Sequence, residues 1–241
     1  MAVRFDMLTD AVSVTSGLPT AASYTLTMWA YLEVNRNAYS NPLEMKSSAT
    51  DGLGDAMYLG TGVDGVSMGA ATNSNSTATV TLSVGTWYRL AVVVSGTSLT
   101  MYCAPVGVDM TLAAYKKNVT AAALPASHAK MWLGKDEYEG WWNGRIAAFK
   151  MWSGALSEAQ IVDEFTQFAP KVTSGLVRYH RFSTTSLAAD APSPGGTADL
   201  VAGSTAIATA ADPAGIPESA GGVAPTIKRP YRAAVARAAN Y

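Results

Sequence analysis

Apolar and polar residues alternate along most of the chain. In YTLTMWAYL, Tyr24, Leu26, Met28, Ala30 and Leu32 fall on one face of an extended segment, with Thr25, Thr27, Trp29 and Tyr31 on the other. Both faces carry bulk, which predicts a central strand rather than an edge. GTWYRLAVVVSGTSLTMYCAPVG predicts a hairpin, with strands over Tyr88 to Val94 and Leu99 to Cys103 joined by a turn over 95–98. Cys103 alternates in phase with Leu99 and Met101 and has no basic neighbourhood in the sequence, so a packed thiol is expected rather than a nucleophile. One helix signal stands out. In ALSEAQIVDEF, Ser157 and Gln160 form a capping box, Leu156 and Ile161 occupy the hydrophobic-staple positions, and Ile161 and Phe165 share a face. A single short helix after many strands predicts an all-β, two-sheet antiparallel sandwich and argues against alternating βαβ units.

Composition divides the chain. Residues 1–184 carry the strand patterns and are read as one domain. Residues 185–222 are rich in Ala, Gly, Pro and Ser, with strand-like fragments near Asp199–Val201 and Thr205–Ala208, and are expected to form an irregular extension packed on that domain. The last segment, 223–241, is basic. It holds Lys228, Arg229, Arg232 and Arg237 and no acid, which leaves 13 basic against 18 acidic residues, a net of −5, on the remainder of the chain. Four cations in an Ala-rich stretch are a thin case for nucleic acid. They fit a solvated tail or a protein contact, with Tyr231 and Tyr241 as further anchoring residues. The longest apolar run, LAVVVSG, is too short to span a bilayer, so no membrane insertion is expected. MAVRFDMLTDAVSV has no apolar signal core, and synthesis without a signal peptide is expected.

The order of these pieces resembles the laminin-G-like, concanavalin A-like jelly-roll superfamily. RFDMLTDAVSV is similar to its opening strand pair and SYTLTMWAYL to the strand that follows. GTWYRLAVVVSGTSLTMYCAPVG is similar to its hairpin, and MWLGKDEYEGWWNGRIAAFKMWSGALSEAQI to its last long strand and short helix. GLVRYHRF resembles the returning strand. The resemblance implies two face-to-face antiparallel sheets, on a fold that hosts lectins, hydrolases and structural modules alike. Modules of this kind also occur in bacteriophage virion proteins. The resemblance therefore implies a non-catalytic structural or binding protein on a virion surface, as capsid decoration or minor tail protein, with virion proteins as partners of the tail. The alternative is a carbohydrate-binding adhesin for cell-surface glycans. A calcium site is common in the superfamily, which makes Asp6, Asp10 and Asn143 candidate ligands; Met7 stands where the opening motif usually has Gly. No other cofactor is expected.

Candidate chemistry concentrates in KDEYEGWWNG. Trp141 and Trp142 are adjacent, so in a strand they point to opposite faces, and the outward one is the expected sugar or protein platform. Glu137 and Glu139 alternate as the carboxylates of a retaining glycosidase would, but in a charged, loop-like setting that favours a solvated turn. The motifs at Gly60–Gly65 and around Ser67 match phosphate-loop and nucleophile-elbow patterns without the helix either needs. With His128 and His180 as the only histidines, a catalytic triad is hard to build. The chain is therefore read as a non-enzyme.

Overall fold

The structure is a computed structural model that describes residues 2–5, 12–15, 17–19, 23–34, 41–46, 56–61, 67–72, 75–120, 128–135, 142–182, 201–202 and 208–217. Strands β1 (Ala2–Phe5), β3 (Ser23–Leu32), β8 (Trp87–Ser95), β9 (Ser98–Pro105), β10 (Lys116–Thr120), β12 (Gly144–Trp152), β13 (Leu176–His180) and β15 (Ala208–Ala210) form one sheet. Its order is β10-β9-β8-β3-β12-β1-β15, with β13 also pairing β12. Strands β2 (Val12–Val14), β4 (Leu43–Lys46), β5 (Ala56–Thr61), β6 (Ser67–Thr72), β7 (Asn75–Thr81), β11 (Lys130–Leu133) and β14 (Val201–Ala202) form the second, in the order β14-β2-β11-β4-β5-β6-β7. The expected all-β sandwich is the observed fold, and the predicted hairpin is β8–β9, paired from Tyr88↔Pro105 to Ser95↔Ser98.

One expectation is corrected. The opening strands do not pair with each other: β1 joins β12 in one sheet, and β2 joins β11 in the other. Of the strand-like fragments near 199–208, the described residues pair as β14 against β2 and β15 against β1.

The core between the sheets follows the alternation. Leu26, Met28 and Leu32 of β3 and Leu90, Val92 and Val94 of β8 meet Leu43 and Met45 of β4 and Met131 and Leu133 of β11 in one buried cluster. Cys103 lies in it, fully buried, and burial pushes its thiol well above the usual range. β3 is central, as its two bulky faces predict. Its other face meets a second cluster, where Trp29 packs edge-on against Phe165 (4.9 Å between ring centroids) and Phe168 (5.0 Å).

That second cluster is roofed by helix α1 (Glu158–Glu164). The capping box forms as predicted: Gln160 N donates to Ser157 Oγ and Ser157 N to Gln160 Oε1. Thr25 fixes the entry to the helix from the sheet, its hydroxyl accepting from Leu156 N and donating to Gly154 O, both at 2.9 Å. The far end is held by Lys150 of β12. Its ammonium donates to Glu164 Oε2 (2.7 Å) and reaches the carbonyl oxygens of Glu164, Gln167 and Ala169 at 2.9–3.3 Å, with both charged side chains fully buried. Lys150 faces outward because β12 carries a bulge. Ala147 pairs Trp29 and Lys150 pairs Thr27, so two residues of β12 stand against Met28 alone, and Ala148 takes a left-handed φ of 46°. Ile146 and Phe149, three positions apart, thereby both face the inter-sheet core.

His180 is buried where β13 ends. It is stacked between Phe149 and Phe182, with Arg178 Nη1 3.4 Å from its Nε2. Burial, and then the neighbouring guanidinium, lower its pKa from 6.5 to about 3. Between those values the unfolded chain holds a proton that the native state lacks. Stability therefore falls as pH drops through this window, by about 1.4 kcal/mol per pH unit at most. The variant His180→Gln is expected to flatten this dependence. Urea unfolding at pH 6.5 and pH 4.5 should show the wild type losing about 2 kcal/mol more than the variant; equal losses would mean that His180 is not held neutral.

Candidate functional site: an aromatic–guanidinium row

Beyond the roof of α1, the outer face of the larger sheet carries a cross-strand row. The register sets Trp87 of β8 beside Tyr31 of β3, Tyr31 beside Arg145 of β12, and Arg145 beside Arg4 of β1. The Tyr31 and Trp87 rings lie 5.4 Å apart, tilted by 52°, and both are half-buried. The Arg145 guanidinium lies over the Tyr31 ring at 4.8 Å. Glu33, two residues beyond Tyr31 on the same chain, ties the two arginines together. Its Oε1 accepts from Arg145 Nε at 2.6 Å, and its Oε2 from Arg4 Nε at 2.9 Å and Nη2 at 2.8 Å. Burial alone would raise the Glu33 carboxyl, but the hydrogen bonds and charges of Arg4 and Arg145 outweigh it and hold the pKa below the usual value.

Gly144 permits this approach of strands. A Cβ there would stand 1.9 Å from the Tyr31 carbonyl oxygen, so the glycine of WWNGR is what lets Arg145 follow directly beside Tyr31. Val34 and Val84 are 44% and 49% exposed at the adjoining turn, where Gly85 N donates to Leu32 O. The row thus offers aromatic surface, apolar margin and fixed N–H donors, open to solvent along the arginines, whose side chains are 41% (Arg4) and 27% (Arg145) exposed.

Two further outward features among the described residues are closed or self-paired. On the smaller sheet, Lys130 lies over the Trp132 ring at 4.3 Å, but Trp132, Glu44 and Lys46 are all buried. A depression beside α1 is lined by Thr111, Glu158, Gln160 and Asp163 among others, and its carboxylates pair with Lys116 and Lys171.

A protein-family model describing the concanavalin A-like lectin/glucanases superfamily matches residues 6–162. The chain belongs to this superfamily. Among solved structures, this member of the superfamily is similar in fold to a putative carbohydrate binding protein from Bacteroides ovatus, at 14% identity and TM-score 0.52, covering 75% of this chain and 50% of that one. It is also similar to the enzymatically active domain of tailspike protein 2 from bacteriophage CBA120, at 12% identity and TM-score 0.51, covering 70% of this chain and 28% of that one. The lectin-like chain thus spans half the length of the first and under a third of the second. No curated protein matches its sequence.

The residues singled out by sequence fare differently in this superfamily frame. Trp142 is fully buried in the inter-sheet core, so it is not the outward member of its pair. Its backbone N–H donates to Gly134 O at 2.8 Å. Asn143 is buried as well, and its backbone carbonyl oxygen accepts from Glu33 N and Val34 N. Among the described residues, no three His, Cys, Asp or Glu side chains gather as a metal site. Trp141, Asp6, Asp10, Glu137, Glu139 and the anchoring residues Lys228, Arg229, Tyr231, Arg232, Arg237 and Tyr241 lie outside the described residues. The row itself was missed as a unit. Trp29 and Tyr31 of β3 and Glu33, just past its end, continue one alternation that is legible in the sequence; Arg4 and Arg145 acquire their meaning only through register.

The two tryptophans should separate in stability. Trp142→Ala empties part of the core and is expected to cost about 3–5 kcal/mol, whereas Trp87→Ala removes a half-buried ring and should cost about 1–2 kcal/mol. Urea denaturation of the two variants measures this, and comparable losses would contradict the core and surface placements.

Proposed function

We propose that the chain is a non-catalytic glycan-binding module that reads sugar on the row formed by Trp87, Tyr31, Arg145, Glu33 and Arg4. The observation that carries the reading is the row's geometry. Two half-buried aromatic rings stand beside two guanidiniums fixed by one carboxylate, on a face the helix leaves uncovered. A pyranose has an apolar C–H face that an aromatic ring desolvates at little loss, and hydroxyls that fixed N–H donors can bond. Fixed donors bind without first being ordered, which favours affinity. Membership of a lectin and glucanase superfamily supports the same reading.

Display on a larger assembly, most specifically a phage virion surface, is the finer part of the proposal. A tailspike domain among proteins of similar fold supports it, and so does the basic segment 223–241 as the contact to neighbouring proteins. Glycan-array screening of the intact protein, followed by calorimetry on the best ligand, tests the binding. Trp87→Ala and Tyr31→Ala should each weaken affinity at least tenfold, about 1.4 kcal/mol, without unfolding the protein. A chain ending at Gly222 should bind the glycan normally and fail to incorporate into its assembly. Array binding unaffected by either aromatic substitution would place the ligand elsewhere.

A further inference from the structure

The row is long across the strands and narrow along them. Trp87, Tyr31 and Arg145 are directly paired neighbours on β8, β3 and β12, so together they cross two strand spacings, about 10 Å. Arg4 on β1 continues the line by one spacing more. Residues on one face of a strand recur at intervals of about 7 Å, and the positions flanking this row on β3 are taken. On one side Trp29 is fully buried, packed on Phe165 and Phe168 at the α1 roof. On the other, Glu33 is engaged by both arginines. The open strip is therefore little wider than one sugar ring, and its chemistry changes along its length. The Trp87 ring offers apolar surface at one end. The Tyr31 ring stands next, 5.4 Å from Trp87 and 4.8 Å from the Arg145 guanidinium. Glu33 takes the Nε edge of Arg145, and the Nη groups bond no other described residue, which leaves oriented donors at the far end.

Resting on the glycan-binding reading above, we infer that the row takes a linear, extended oligosaccharide laid across the strands in three consecutive subsites. A pyranose unit advances such a chain by roughly one strand spacing, so each strand meets one unit. One sugar lies against the Trp87 ring, the next on Tyr31, and the third bonds the Nη groups of Arg145. A single sugar fills only one end of the strip, and a branch would run into the roof beside Trp29 or into Glu33. The substrate class is thus the backbone of a linear polysaccharide, and Arg145 is the residue that distinguishes three units from two.

Calorimetric titration of the full chain with β-1,4-linked glucose, xylose and N-acetylglucosamine oligomers of one to six units tests this, because such chains are extended. In at least one series, three units should bind about tenfold or more tightly than one, and further units beyond four should add little. Arg145→Gln should weaken the trimer about fivefold more than it weakens the dimer, whereas Trp87→Ala should weaken both by the same factor. The length series on the unaltered chain stands whether or not either variant folds. A single sugar that binds as tightly as the trimer would overturn the three-subsite arrangement while leaving the glycan reading intact. Equal losses of dimer and trimer in Arg145→Gln would also overturn it. Absence of binding by all three series, at millimolar ligand, would overturn both readings.

Discussion

The buried ammonium of Lys150 is the contact on which the outer half of this structure depends. It reaches across from β12 to the carboxylate and backbone carbonyl of Glu164, the last residue of α1, and no basic residue of the helix itself occupies the last turn. Burial pulls its pKa down to about 8, and the Glu164 carboxylate opposes that pull. A buried pair of this kind is weak evidence for net stability, because desolvation of both charges offsets their attraction. Leaving either partner alone would be far worse. Its clearest consequence is positional. Glu164 Oε1 also accepts from the backbone N–H groups of Lys171 and Val172, so one carboxylate fixes both the helix end and the chain that leaves it.

The bulge at Ala148 makes this possible and also defines the candidate site. Before it, Arg145 and Ala147 face outward; after it, Lys150 and Trp152 do. One strand therefore supplies an arginine to the open row and a lysine to the helix roof, while Ile146, Phe149 and Met151 fill the inter-sheet core. The roof covers Trp29, Ala91 and Ala147; the half-buried Trp87 packs along its margin, and Tyr31 lies outside that cluster. The same fold element that closes one part of the face leaves the other part accessible.

Much of the scaffold was legible because it rests on local rules. Strict alternation gave β3, β8 and β9, and the Ser157–Gln160 capping box gave α1 to within its cap. The pairing of β1 and β2 in different sheets was not legible, since short strands do not declare their partners. The site was hidden for a related reason. Trp87, Tyr31, Arg145 and Arg4 are scattered along the chain, and only the antiparallel register lines them up. Of the adjacent tryptophans, Trp142 is the inward member, buried in the inter-sheet core. Aromatic density in sequence marked the core as much as the surface.

The most direct measurement of the central claim is a two-dimensional 15N–1H NMR titration of the intact protein with the oligosaccharide that binds best in the glycan array. The account predicts shifts concentrated at the Trp87 indole N–H, the Arg145 Nε–H and the backbone amides of Tyr31 and Glu33. Shifts concentrated at Lys130, Trp132 and Glu44 of the opposite sheet, with the row unmoved, would contradict it.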